Sequence, residues 1–289
     1  MILDGPGYPA PAKLNLFLHV IGRRSDGYHL LQTAFRFLDY GDTLRFRVRE
    51  DGVINRTNPL PGVQVAEDLT VLAARALRDA TGITLGADID LDKRLPMGGG
   101  VGGGSSDAAT TLLALNHLWN GGLTRTALME LALGLGADVP VFVYGRSSFA
   151  EGVGERLQPI ELKPAWYVVL VPPVSVPTSE IFASPELTRD TKPIKLTAFS
   201  AVPAPFGNYH NDLEPVAIKH HPEVARHLAW LRQFGDARMT GSGACVFSAF
   251  DNESAANDVL KQLPPEMQGF VAKGCDRHPL YDLAAGAES

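Results

Sequence analysis

The sequence predicts a two-lobed α+β protein, with an N-terminal lobe over residues 1–160 and a C-terminal lobe over 161–289. Three observations carry this. The first half alternates strand-like and helix-like patterns around a run holding six glycines in seven residues, 98–104. A β-rich segment at 166–171, preceded by Lys163-Pro164 and closed by Pro172-Pro173, opens a second unit. That unit ends in a strand–helix–strand pattern. A chain of 289 residues is long enough to bury two cores.

The elements follow in order. Leu14, Leu16, Leu18 and Val20 alternate with Lys13, Asn15, Phe17 and His19, so an early strand carries Lys13 and Asn15 on one face. Asp26-Gly27 marks a turn and residues 43–48 suggest a further strand. Leu69, Leu72, Ala73, Ala76 and Leu77 form a helical stripe over 69–80. Ala87, Ile89 and Leu91 then alternate with Asp88, Asp90 and Asp92, the period of a strand with one wet face. After the glycines, Ala108, Leu112, Leu115 and Trp119 recur at helical spacing, Ser105 or Ser106 is placed to cap the start, and Asn120-Gly121-Gly122 supplies the stop. Another helix runs from Thr124 through Leu128, Leu131 and Ala132 and breaks around Gly134 and Gly136. In the second unit a Pro-rich, weakly patterned stretch covers 184–206, followed by a helix over 222–234, a turn at 239–242 into the apolar run 244–250, a helix over 255–263 and a strand over 270–273.

Composition narrows the function. Hydrophobic residues make up 45% of the chain, yet no stretch approaches the roughly eighteen uninterrupted apolar residues of a membrane span. The opening segment lacks the basic cluster and apolar core of an export signal, and the two cysteines, Cys245 and Cys275, lack metal-type spacing; a cytoplasmic protein with no structural disulfide is expected. A net charge of −6 argues against broad nucleic-acid binding, which needs a basic face.

Pro96-Met97-Gly98-Gly99-Gly100-Val101-Gly102-Gly103-Gly104-Ser105-Ser106 points to phosphate. Without Cβ atoms the backbone approaches an anion closely and aims its N–H groups at it, and the following helix turns its positive end toward the same spot. Gly98, Gly100 and Gly103 satisfy G-x-G-x-x-G, but no acidic residue lies between 108 and 129, where a Rossmann ribose partner belongs. No Gly-Lys-Ser or Gly-Lys-Thr follows, so this is not a P-loop. The anion must then be neutralised by amides, the helix dipole, a metal ion and Lys93 or Arg94 just upstream. Four further motifs stand out. Asp138, in Gly136-Ala137-Asp138-Val139-Pro140, reads as a helix cap or as an acid at a site. Thr240-Gly241-Ser242-Gly243 reads as a hairpin or bulge. Lys13 and Asn15 occupy a strand face, and a buried Lys13 needs a carboxylate partner such as Asp138. Tyr28 and His29, behind the tight turn, have the chemistry to stack on and hydrogen-bond a flat ring.

Taken in order, Pro-Ala-Lys-Leu-Asn-Leu (11–16), the polyglycine run, Gly-Ala-Asp-Val-Pro (136–140) and Thr-Gly-Ser-Gly-Ala (240–244) resemble the GHMP small-molecule kinases. Arg24-Ser25-Asp26-Gly27-Tyr28-His29, Asp39-Tyr40-Gly41-Asp42 and Glu151-Gly152-Val153-Gly154 narrow the resemblance to the branch acting on diphosphocytidyl methylerythritol, and the likeness spans nearly the whole chain. It implies an N-terminal ATP-binding lobe, a ferredoxin-like C-terminal lobe, and a small-molecule substrate bound between them. It also implies Lys13 and Asp138 as the catalytic pair. ATP is the expected co-substrate, wrapped by Pro96 to Ser106 with Lys93 and Asp68 contributing. Mg²⁺ is expected to be held mainly by the ATP phosphates, with the hydroxyl of Ser105 or Ser106 close by. Tyr28 and Phe182 are expected to sandwich the cytosine, His29 to bond its polar edge, and Asn15, Val153 and Thr178 to line the rest of the substrate path. Two positions depart from the family pattern: Asp68 stands where relatives often carry Asn near the adenine, and Ser179 where some carry Pro. No nucleic-acid or membrane partner is expected, and the assembly is a monomer or weak homodimer. The competing readings are a homoserine- or mevalonate-type kinase of the same superfamily and a nucleotide-binding module without chemistry.

Overall fold

Two long strands organise the molecule. The computed structural model describes residues 3–200 and 209–284; residues 201–206 of the Pro-rich stretch lie outside the described residues. β1 (Tyr8–Arg23) and β2 (His29–Arg49) pair antiparallel across the Asp26-Gly27 turn, where Gly27 takes a φ of 94°. The strand expected at 43–48 is the last part of β2. Its earlier part showed no period because residues 32–38 are buried on both faces. β3 (Ile54–Arg56) runs parallel to β4 (Gly86–Asp92), which pairs with β2, while β2 also pairs with β5 (Ser148–Glu151) and β5 with β6 (Arg156–Pro159).

Helices cover one side of this sheet. α1 (Leu69–Thr81) is capped by Asp68, whose side chain accepts from Thr70 N, and stops at Gly82 with φ 69°. α2 (Gly103–Leu118) is buried along most of its length, and α3 (Arg125–Leu135) starts at Thr124, whose hydroxyl accepts from Ala127 N. α4 (Val139–Tyr144) ends at Gly145 in the left-handed region.

The second lobe contains β7 (Trp166–Leu170), α5 (Thr178–Ala183), α6 (Leu196–Ser200), α7 (Glu214–His220), α8 (Pro222–Leu231), β8 (Arg238–Met239), β9 (Val246–Phe250), α9 (Glu253–Leu260) and β10 (Gly269–Cys275). Its sheet runs β10-β7-β9-β8, antiparallel throughout. With helices between β7 and β8 and between β9 and β10, this is the ferredoxin-like β-α-β-β-α-β arrangement. Among the described residues no helix is long and apolar enough to cross a membrane.

The lobes exchange segments, so a sequential cut at 160/161 describes them only approximately. β10 leaves its own sheet to pair Gly274 with Leu38 and Cys275 with Phe37 of β2. The chain beyond it returns to the first lobe, where His278 meets the edge of Phe37 and Tyr281 lies under the Arg125 guanidinium. β1 crosses in the opposite sense. Ala10 belongs to the first lobe's core, Ala12, Leu14, Leu16 and Phe17 to a core shared between lobes, and Leu18 and Val20 to the second lobe's core. Burying each of these leucines stabilises the fold by about 1.5–3 kcal/mol, which fixes the strand that carries Lys13 and Asn15.

Two expectations need correction. Most of the acidic face of β4 is not wet: Asp92 at its end is exposed, but Asp88 and Asp90 are buried, and Asp88 accepts bonds from Arg47, Arg49 and Asn55 on the flanking strands. Period-two alternation marks two chemically different faces; it does not say whether water or a bed of guanidinium groups covers the polar one. Neither Ser105 nor Ser106 caps α2. The helix begins at Gly103, with Gly102 at the cap in a left-handed conformation (φ 75°), so both serines fall inside the first turn.

Candidate active site

The polyglycine turn leaves β4 and enters α2 between the lobes. Gly98, Gly100 and Gly102 have φ of 68°, 73° and 75°, while Gly99 and Val101 between them do not take positive φ. Alternation of this kind curls successive N–H groups inward to form a concave anion cradle. Side chains are excluded at its centre, since a Cβ on Gly100 would stand 2.2 Å from Thr240 O. The turn is laced to both lobes: Lys13 N donates to Val101 O (2.9 Å), and Cys245 N donates to Gly99 O (3.0 Å).

A cleft of about 420 Å³ opens beside it. Lys13 and Asn15 enter from β1, Gly98, Gly99, Gly100, Gly102, Gly103, Gly104 and Ser105 from the turn and first turn of α2, and Asp138 from the start of α4. The Lys13 ammonium, buried to 1% exposure, lies 2.5 Å from Asn15 Oδ1, 3.0 Å from Gly100 O and 3.1 Å from Asp138 Oδ2. The Asp138 carboxylate is 40% exposed and makes no capping bond to α4, so the cap reading is set aside. The cation thus forms part of the floor while the carboxylate faces the opening.

Two threonines fix this arrangement. Thr33 Oγ1 donates to Phe17 O (2.5 Å) and so has its lone pair free to accept from Asn15 Nδ2 (3.0 Å), which turns the amide oxygen toward Lys13. Thr240 Oγ1 accepts from Asn15 N (2.9 Å) and donates to Gly100 O (3.3 Å), tying the second lobe to the strand and the turn at once. Sequence reading missed both roles. Thr240 lay inside the Thr-Gly-Ser-Gly turn, and nothing local distinguished Thr33.

Behind the cradle Lys93 is held by Asp42 (2.6 Å) and Asp107 (2.7 Å), and Asp42 also accepts from Arg94 N and Leu95 N as the chain leaves β4. Burial pushes the Asp107 carboxyl up, against the pull of Lys93. Burial opposes the Lys93 charge, but Asp107 and Asp42 outweigh it and raise its pKa. The ammonium therefore stands under the turn, where a Cβ on Gly103 would lie 3.0 Å from it. Asp42 sits in the Asp39-Tyr40-Gly41-Asp42 motif, which gave no hint of this clamp.

The remaining expected residues divide. Val153, Thr178 and Phe182 line the cleft, with the Thr178 and Ser242 hydroxyls 2.7 Å apart. His29 stacks on Phe182 (ring centroids 4.9 Å, 30° between planes), while Tyr28 is 65% exposed at the tip of the β1–β2 turn. Pro96 borders the cleft, Met97 is exposed, and Val101 and Ser106 are buried beneath the turn. Asp68 is committed to capping α1 and to an ion pair with Arg56 (3.2 Å); its neighbour Leu69 reaches the cleft wall.

The chain is similar to known proteins over most of its length. Residues 68–146 match the GHMP kinases N terminal domain and residues 203–268 the GHMP kinases C terminal domain. The chain is 64% identical to a 4-diphosphocytidyl-2-C-methyl-D-erythritol kinase from Thiobacillus denitrificans, over 96% of this chain and 98% of that protein. It is 57% identical to the protein of the same name from Nitrosomonas europaea, over 96% and 99%. Among solved structures it superposes on a 4-(cytidine 5'-diphospho)-2C-methyl-D-erythritol kinase with a TM-score of 0.81 at 34% identity, covering 93% of this chain and 99% of that one. The mevalonate kinase of Methanococcus jannaschii shares the fold at a TM-score of 0.64 and 17% identity, covering 94% and 99%.

Proposed function

Because this chain belongs to the 4-diphosphocytidyl-2-C-methyl-D-erythritol kinases of the GHMP superfamily, we propose that its interlobe cleft transfers the γ-phosphoryl group of ATP to the 2-hydroxyl of the diphosphocytidyl sugar alcohol through Lys13 and Asp138. The family is one of ATP-dependent kinases of the non-mevalonate isoprenoid pathway. One observation carries the assignment of roles: an ammonium and a carboxylate 3.1 Å apart, in the same cleft as a backbone anion cradle.

In this reading the N–H groups of the polyglycine turn and the positive end of α2 hold the ATP phosphates. Asn15, Val153 and Thr178 line the path of the substrate, whose hydroxyl lies against Lys13 and Asp138. An alcohol is far more basic than a carboxylate, so Asp138 accepts the proton late, as the oxygen bonds to phosphorus. Lys13, already desolvated and fixed by Asn15 and Gly100, orients the hydroxyl and offsets charge without reorganising. Alignment and electrostatics supply most of the acceleration. The Ser105 hydroxyl on the cleft wall suits a hard cation bound chiefly through phosphate oxygens and water, and the described residues contain no cluster of three metal-binding side chains. Ser105 or Ser106 would offer the nearby hydroxyl to a Mg²⁺ held by the phosphates, and such an ion would supply charge neutralisation for the transferring group. Lys93 supports nucleotide binding from beneath the turn, and Asp68 by holding α1 and Leu69 on the cleft wall. Tyr28, His29 and Phe182 take the cytosine.

Transfer of radiolabelled γ-phosphate to the diphosphocytidyl substrate, with the modified position located by NMR, tests reaction and regiochemistry together. Equal turnover of mevalonate or homoserine in a coupled ADP assay is the result that would overturn the substrate assignment.

A further inference from the structure

Arg189, in the loop after α5, makes four hydrogen bonds that converge on the aromatic end of the cleft. Its Nε donates to His29 Nε2 (3.0 Å); its Nη1 donates to Leu187 O (3.0 Å), and its Nη2 to Phe182 O (2.9 Å) and Ser184 O (2.8 Å). A guanidinium offers donors only. The lone pair of the imidazole is therefore on Nε2 and its proton on Nδ1. His29 Nδ1 has no hydrogen bond among the described residues and is not sealed from solvent, so its N–H is left to a ligand. The charged groups facing the ring are Arg189 and, from the end of β1, Arg23. Burial lowers the His29 pKa, and these two positive charges lower it further. The same guanidinium anchors the backbone of Phe182, on which His29 stacks.

We propose that Arg189 is a positioning residue that sets base specificity: it locks His29 as a neutral Nδ1–H donor stacked on Phe182, so that the subsite selects a flat heteroaromatic ring presenting a hydrogen-bond acceptor on its edge. This rests on the reading of His29 and Phe182 as the cytidine subsite. One side chain thereby fixes the plane of the sandwich and the polarity of its edge contact. Arg189 is not among the residues that line the cleft; it acts through His29 and Phe182.

The test has two arms. Long-range ¹⁵N–¹H correlation NMR of the ligand-free enzyme, with His29 assigned from the His29→Ala spectrum, is expected to show the Nδ1–H tautomer in the wild type. Arg189→Met is expected to shift it toward Nε2–H, and Arg189→Lys, which keeps a donor for Nε2, to retain it. In steady-state kinetics Arg189→Met is expected to raise KM for the diphosphocytidyl substrate about tenfold, the scale of one hydrogen bond, with kcat and the ATP KM within about threefold of wild type. Arg189→Lys is expected to recover part of that loss. An Nε2–H tautomer in the wild type overturns the proposal even if Arg189→Met does not fold. An unchanged substrate KM in folded Arg189→Met overturns it too. Failure of the underlying reading looks different: His29→Ala itself would then leave the KM for the diphosphocytidyl substrate unchanged.

Discussion

Replacing Lys13 with methionine separates the chemical role of this buried ammonium from its structural one. Methionine nearly keeps the volume of a side chain that is 1% exposed, so the cavity term is small. Of the three partners that lose the ammonium, Gly100 O keeps its bond from Thr240 Oγ1 (3.3 Å), and Asp138, 40% exposed, regains water. Only Asn15 Oδ1 is stranded. One stranded acceptor costs about 1–3 kcal/mol. Relief of the ammonium's desolvation offsets part of that. The net destabilisation is about 1 kcal/mol, a fall in Tm of about 2–4 °C. In the transition state there is no such offset, because a preorganised charge beside the reacting oxygens is lost from a site partly shielded from water. By analogy with removal of one oxyanion donor, kcat falls on the order of 10²–10³-fold, or about 2.7–4 kcal/mol. Coupled ADP release at saturating ATP and diphosphocytidyl substrate, alongside thermal unfolding, measures both. A folded variant whose kcat stays within about tenfold of wild type would refute the mechanism. A variant that loses most of its stability would show that the ammonium serves the fold first.

Gly100→Ala places a Cβ 2.2 Å from Thr240 O at a φ of 73°, so the cradle must distort; the ATP KM is expected to rise more than about tenfold with circular dichroism unchanged, and a normal KM would contradict the cradle. Thr33→Val removes the hydroxyl that orients the Asn15 amide and is expected to lower kcat by about tenfold, the scale of one hydrogen bond, with recovery in Thr33→Ser. Equal loss in both variants would count against an orienting role. Stability is expected to fall as pH drops below neutrality. Burial lowers the pKa of His19 to about 4, helped by His210 and opposed by Asp212, and burial together with Arg125 lowers that of His278 to about 3. Both stay neutral in the folded state, while the unfolded chain protonates them below about pH 6.5. The unfolded state then binds more protons, and each histidine removes up to about 1.4 kcal/mol of stability per pH unit between 6.5 and its folded pKa. Urea midpoints at pH 7 and pH 5 check this, and His278→Asn should flatten the difference; an unchanged slope would exclude His278 as a contributor.

What the sequence determined by itself was local. The β1 strand, the polyglycine turn and the helix beginning at Thr124 report conformations set within a few residues, and all three are found in the structure. The need of a buried Lys13 for a carboxylate also pointed to Asp138, because an unpaired internal charge is too costly to leave. Tertiary structure decided the rest. Whether the acidic face of β4 met water or arginines depended on β2 and β3 closing around it. The bonds that aim Lys13 and Asn15 join positions 87 and 225 residues apart, and the Arg189–His29 contact spans 160. No spacing rule reaches that far. A side chain's partners are fixed by which elements pack, and here β1 threading all three cores brings turns from both lobes against one strand.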